Sequence, residues 1–256
     1  MKKTLRELTA GGRICTAAIL QFPSEELAEL LAHAGVELLI LDMEHSPNGH
    51  ERIVSLIRAC EAAGAAAFVR VPNARDEDAI KKALDAGAAG IVIPNTDTAD
   101  EARQAVDYAK FPPLGHRGAC PFVRANWYGG EDRAAYYARV NESTAVIALV
   151  ESPEGVRNLP EIAAVEGIDA LMLGAVDLSV ALGVPGQTEH PAIQAALERA
   201  AAACAANGKL LTCLASDAES AKRTKALPNV GIWLLPFPEI AIHDLYGGIV
   251  RQLRSC

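Results

Sequence analysis

The 256-residue chain contains no Cys-x-x-C pair, no run of about 18 consecutive apolar residues and no Pro/Ser-rich linker. The six cysteines, at 15, 60, 120, 204, 213 and 256, are scattered without ligand-like spacing. That excludes a zinc cluster or a disulfide framework as the organising feature and suits a reducing cytosol. Without a long apolar run no membrane span is predicted, and the charged start Met1-Lys2-Lys3-Thr4-Leu5 is not followed by the apolar segment of a secretory signal. The expectation is a cytoplasmic, unexported protein. Positive charge is also in deficit: 24 Lys and Arg against 32 Asp and Glu leave a formal charge of −8, which offers no global attraction to nucleic acid or to an anionic membrane. No composition shift divides the chain, so residues 1–256 are expected to form one domain.

What is present is alternation. After a short amphipathic helix (Thr4–Ala10) and a Gly11-Gly12 break, apolar strand-like runs are predicted at Ile14–Leu20, Glu37–Asp42, Ala66–Val71, Gly90–Pro94, Ala145–Glu151, Ala170–Leu173, Lys209–Leu214 and Val230–Leu235. Helical stripes lie between them, for example His50–Ala63 with apolar residues at 53, 54, 57 and 60, Asp76–Ala86 and Thr98–Lys110. Eight strands rich in Ile, Leu and Val, each followed by a helix, predict an α/β fold: a single (β/α)8 TIM barrel with a short N-terminal helix, for which this length is typical. Residues 111–130 carry no period and read as a long loop, which in a compact domain is usually functional.

Several of these strands end on ionisable residues. Leu39-Ile-Leu-Asp-Met-Glu-His45 terminates in Asp42, Glu44 and His45; Val69-Arg-Val-Pro72 carries Arg70; Val150-Glu-Ser-Pro-Glu-Gly155 carries Glu151. Charges cannot sit unpaired inside a strand buried on both faces, so they belong at its exit. In a parallel barrel the strand exits form the catalytic rim. Glu151 and Asp177, from adjacent strands, can converge on one divalent cation, and hard oxygen ligands favour Mg2+, Mn2+ or Co2+ over a closed zinc site. Each carboxylate taken alone also reads as a helix cap. Arg70 reads either as a clamp on a keto oxygen or as half of an internal ion pair.

The segments Leu41-Asp-Met-Glu-His-Ser-Pro-Asn48, Val69-Arg-Val-Pro72, Leu84-Asp-Ala-Gly87, Pro112-Pro-Leu-Gly-His-Arg-Gly118, Val150-Glu-Ser-Pro-Glu-Gly155 and Leu173-Gly-Ala-Val-Asp-Leu-Ser179 resemble, in order and spacing, the HpcH/HpaI class II pyruvate aldolases. The likeness runs from about Arg6 to Gly186. It implies a metal-dependent carbon–carbon lyase that cleaves or forms 4-hydroxy-2-oxo acids through a pyruvate enolate, acting on a small 2-oxo acid and an aldehyde. It implies that Glu151 and Asp177 hold the metal, that Arg70 stabilises the enolate, that His45 is the base acting on the substrate hydroxyl, and that Asp85 raises the basicity of that histidine. It also implies a homo-hexamer with C-terminal helices exchanged between neighbours. Gly174, Ala175 and Val176 are expected to present backbone N–H groups to the substrate carboxylate.

Two departures from the family pattern stand out. Leu149 occupies the place of a glutamine that contacts the keto acid, and a leucine cannot donate that hydrogen bond. Leu234-Leu-Pro-Phe-Pro-Glu239 replaces a Gly-x-Asp pattern. Both keep open a second reading, a citrate synthase-type condensation of oxaloacetate with acetyl-CoA in siderophore biosynthesis. A non-catalytic binding protein ranks third. Arg117 and Arg124 in the long loop are candidates for a distal acid group or for subunit contacts. His33, His50, His116, His190 and His243 lack ligand-like spacing and are assigned to surface or loop, and Trp127, Tyr128 and Trp233 to packing.

Overall fold

Side chains alternate between the two faces of a strand, so a strand buried on both faces must be apolar at every position. In the computed structural model, which describes residues 3–255, eight such strands close into a parallel barrel in the order β1-β2-β3-β4-β5-β6-β7-β8. They are β1 (Cys15–Leu20), β2 (Leu38–Asp42), β3 (Ala66–Arg70), β4 (Gly90–Ile93), β5 (Ala145–Val150), β6 (Ala170–Leu173), β7 (Leu210–Leu214) and β8 (Val230–Leu234). All eight predicted strands are present, with ends differing by a residue or so.

One parity fills the barrel interior: Cys15, Ala17 and Ile19; Leu38 and Ile40; Ala66 and Phe68; Ala145, Ile147 and Leu149; Ala170 and Met172; Ile232. The other parity, including Leu39, Leu41, Val69, Ile91, Val146, Ala148 and Leu171, packs outward against the helices. Those helices are α1 (Leu5–Leu8), α2 (Glu25–His33), α3 (His50–Ala62), α4 (Glu77–Asp85), α5 (Ala99–Ala109), α6 (Arg133–Ser143), α7 (Pro153–Arg157), α8 (Leu159–Ala163), α9 (Ala175–Ala181), α10 (Pro191–Asn207), α11 (Ala218–Lys225) and α12 (Pro238–Arg254).

The N-terminal helix is shorter than its pattern suggests. Thr4 and Glu7 form a capping box at its start, and the chain tightens into a 3-10 turn over Ala10–Gly12, where Gly11 sits at a φ of 69°. Leu5 and Leu8 join the interior cluster and close the N-terminal end of the barrel. The segment 111–130 lacks strands and carries one 3-10 turn at Arg124–Asn126. Its Trp127 and Tyr128, expected as packing residues, are instead mostly exposed and adopt left-handed backbone. Trp233 does pack, donating from Nε1 to Thr224 Oγ1 at 3.2 Å.

Candidate active site

The interior parity dictates what stands at the mouth. Continuing Leu38, Ile40 gives Asp42; continuing Ala66, Phe68 gives Arg70; continuing Ile147, Leu149 gives Glu151; continuing Ala170, Met172 gives Gly174. Asp42 and Arg70 are register partners on neighbouring strands, so their side chains enter the mouth side by side. Arg70 Nε and Nη2 donate to the two oxygens of Asp42, each at 2.8 Å. Burial pushes the Asp42 carboxyl up, but the hydrogen bonds and charge of Arg70, with the N–H groups of Glu44 and His45, outweigh it and hold the group below its ordinary value. Arg70 is raised despite its own burial by Asp42, Glu44 and Glu151. Arg70 is thus paired with Asp42, and its Nη1 lies 3.3 Å from Glu44 Oε2.

Glu151 lies one residue beyond β5 and is 7% exposed. Burial pushes its carboxyl up to about 7; the Asn95 N–H and Arg70 pull down, while the carboxylates of Glu44 and Asp177 push further up. Glu44 is raised in the same way, first by burial and in part by Asp42 and Asp177. Gly174 is what lets Glu151 stand there, because a Cβ at position 174 would come 2.6 Å from Glu151 Cβ and 2.6 Å from its Oε2. The Gly174 N–H, expected to face the substrate carboxylate, is instead donated to the Val150 carbonyl at 2.9 Å as the ladder continues past β6; Ala175 and Val176 open α9, and the first N–H groups of a helix find no partner within it. Leu149 is buried one layer beneath Glu151, and its Cδ1 lies 3.3 Å from that same Cβ position at Gly174.

His45 follows on the loop after β2, more than half exposed at the mouth, with Nε2 3.7 Å from Glu44 Oε2. The one sequence-predicted residue that the fold does not bring to this cluster is Asp85. It ends α4, and a helix that follows a barrel strand runs back to the opposite rim, so its C-terminal end lies at the plugged face. There the Asp85 carboxylate accepts from Arg117 Nη2 at 2.6 Å. Within one chain it does not meet His45. Arg117, expected to reach substrate or a neighbour, is buried over the Phe111 ring, and Arg124 pairs with Glu61 and donates to the Ala86 carbonyl at 2.9 Å. Both arginines tie the long loop to its own barrel.

Asn95 joins the cluster without a motif to mark it. It sits just past β4 in left-handed backbone (φ 50°), donates its N–H to Glu151 Oε1 at 2.8 Å and its Nδ2 to Glu44 Oε1 at 3.1 Å. The signal was an asparagine at a strand exit, the residue type that most readily accepts this backbone after glycine.

The carboxylates of Glu44 and Glu151 lie beside the Arg70 guanidinium, with the exposed Asp177 near enough to raise both, and together they are oxygen donors of the kind that suits a hard divalent cation. Among the described residues no three His, Cys, Asp or Glu side chains form a ready metal cage, so such an ion would complete its shell with water or substrate. A cavity of about 510 Å3 between α10 and α11 is lined in part by Ala175 but by none of Asp42, Arg70, Glu151 or Asp177.

Residues 20–228 match the family model described as HpcH/HpaI aldolase/citrate lyase. The chain belongs to this family. It is 39% identical over 239 residues to a hydroxypyruvate/pyruvate aldolase of Paraburkholderia phytofirmans, a match covering 88% of this chain and 91% of that one. Among solved structures, an HpcH/HpaI aldolase from Desulfitobacterium hafniense superposes with a TM-score of 0.92 at 26% identity, covering 99% and 97% of the two chains. The citrate synthase SbnG superposes with a TM-score of 0.86 at 27% identity, covering 98% of each. The curated relatives are named aldolases, and the chain is accordingly an enzyme of the aldolase/lyase class. No described helix is long and apolar enough to cross a membrane.

Proposed function

We propose that this enzyme is a divalent-metal-dependent aldolase that makes or breaks the carbon–carbon bond of a 4-hydroxy-2-oxo acid through a pyruvate enolate. The observation carrying the reading is the fixed cation of Arg70 set against the carboxylates of Glu151, Asp177 and Glu44 at the open end of a plugged barrel. Glu151 and Asp177 would hold Mg2+, Mn2+ or Co2+, which supplies Lewis-acid charge at the keto oxygen. Arg70 needs no rearrangement to stabilise the negative charge that develops on that oxygen, because Asp42 already fixes its guanidinium. The first N–H groups of α9, at Ala175 and Val176 after Gly174, receive the substrate carboxylate. His45, exposed at the mouth, takes the proton of the substrate hydroxyl in cleavage and returns it in the reverse direction. Asp85 serves that histidine only if it comes from another copy of the chain.

A hexamer is part of the same reading. Beyond its first turn, where Pro238 and Glu239 meet the barrel, α12 has no buried residue, and Ile242, Leu245, Tyr246, Ile249 and Leu253 expose a continuous apolar face suited to a neighbouring subunit. The runner-up, condensation of oxaloacetate with acetyl-CoA, is favoured by the apolar floor that Leu149 gives the site and by the likeness to SbnG. Purified enzyme with Mn2+, assayed for pyruvate release from 4-hydroxy-2-oxo acids and for CoA release from acetyl-CoA plus oxaloacetate, separates the two. Pyruvate release that vanishes on chelation supports the aldolase, CoA release alone supports condensation, and neither product would overturn both.

A further inference from the structure

Gln21, the first residue past β1, is held more firmly than an ordinary loop glutamine. It continues the interior parity of Cys15, Ala17 and Ile19, so its carboxamide enters the mouth. Its N–H and that of Phe22 both donate to Glu239 Oε1, at 3.0 and 2.9 Å. Its carbonyl accepts from Asn48 Nδ2 at 3.4 Å, and its Nε2 donates to Asp42 Oδ2 at 3.4 Å. Glu239 lies in the first turn of α12, at the far end of the chain, and its Oε2 is buried without a hydrogen-bond partner. One oxygen of a half-buried carboxylate is thus taken out of water while the other fixes the exit of β1, a cost that a solvent-facing turn would not carry.

The ring order says what Gln21 faces. In an eight-stranded closed barrel β1 stands opposite β5, which delivers Glu151, and beside β2, which delivers Asp42 and His45. On this side the neighbouring exits offer Leu214 from β7 and Leu234 from β8, and Asp42 is committed to Arg70. One N–H of the half-buried Gln21 amide is directed to Asp42; among the described residues its other N–H and its Oε1 make no hydrogen bond. The amide is therefore a polar group with spare capacity on the wall next to His45 and across from the enolate half.

We propose that Gln21 is a specificity-determining residue that reads the aldehyde half of the substrate by hydrogen-bonding an oxygen on the carbon next to the carbonyl, selecting short hydroxylated aldehydes over their alkyl counterparts. The inference rests on the pyruvate-enolate reading above. Its test compares wild type and Gln21→Leu in pyruvate additions to glycolaldehyde and to propanal, which replaces the hydroxyl by a methyl group. Wild type should prefer glycolaldehyde, and Gln21→Leu should lose about tenfold of that preference in kcat/KM, chiefly through KM, the usual weight of one neutral hydrogen bond. If Gln21→Leu does not fold, the unbranched Gln21→Met replaces it. A strut that merely steadies Asp42 would lower both reactions in proportion, and an unchanged ratio overturns the proposal. Exchange of pyruvate methyl protons with solvent deuterium in wild type, measured without aldehyde, isolates the parent reading. Absent exchange removes that reading and the proposal with it; exchange with an unchanged ratio removes the proposal alone.

Discussion

Asp42 and Arg70 are joined by two 2.8 Å hydrogen bonds because the β2–β3 register places them opposite each other at the last rung of the ladder. Asp42 is fully buried and also accepts from the N–H groups of Glu44 and His45 and from Gln21. A single carboxylate therefore sets the positions of the guanidinium, the following loop and the neighbouring strand exit.

Stability should depend on that carboxylate with a definite sign. Its folded value lies below the ordinary aspartate value of 3.8, so the unfolded chain takes up the proton first as pH falls. The stabilisation is complete above the ordinary value and is lost as pH drops through the folded one. Asp42→Asn should be destabilised most near neutrality, and its deficit against wild type should shrink at about pH 3. Urea midpoints at both pH values test this; a deficit independent of pH would show that Asp42 acts by shape alone. Arg70→Ala, which strands the buried carboxylate, should cost about 3–5 kcal/mol.

Cation binding should fail with either carboxylate. Calorimetric titration with Mn2+ is expected to show severe weakening in Glu151→Gln and Asp177→Asn. Gly174→Ala should do the same without touching a ligand, because its methyl group needs the space that Glu151 holds. Full activity of exhaustively chelated wild type would refute the metal-dependent reading.

The base and the clamp should separate kinetically. His45→Ala is expected to lose about 10²–10⁴-fold in the aldol step while retaining exchange of pyruvate methyl protons. Arg70→Ala should lose both. An undiminished aldol rate in His45→Ala would remove that residue from the mechanism.

Leu149 decides between the two chemistries. Its side chain is buried directly beneath Glu151, so Leu149→Gln places an amide within the site. In a pyruvate aldolase the new hydrogen bond should strengthen pyruvate binding by about 0.5–1.5 kcal/mol. In a site reshaped for condensation the amide would be buried without its partner, and native turnover should fall with little gain for pyruvate. Kinetic constants for pyruvate, oxaloacetate and acetyl-CoA in both proteins distinguish these outcomes, and unchanged constants throughout would place Leu149 outside the chemistry.

The barrel was legible because its signals are local. Apolar runs, helical stripes and their alternation specify eight strands and their connections wherever the chain later goes, and period-two parity explains why Asp42, Arg70 and Glu151 all enter one mouth. Pairing across space is a different kind of information. That Asn95 bridges Glu44 and Glu151, that Glu239 pins Gln21 from 218 residues away, and that Asp85 meets Arg117 rather than His45 follow from strand register, barrel closure and the direction in which each helix returns. A sequence names the groups standing at each exit. Only the closed ring decides which of them share a hydrogen bond, because a shift of about one residue in register turns every side chain of a strand to its other face.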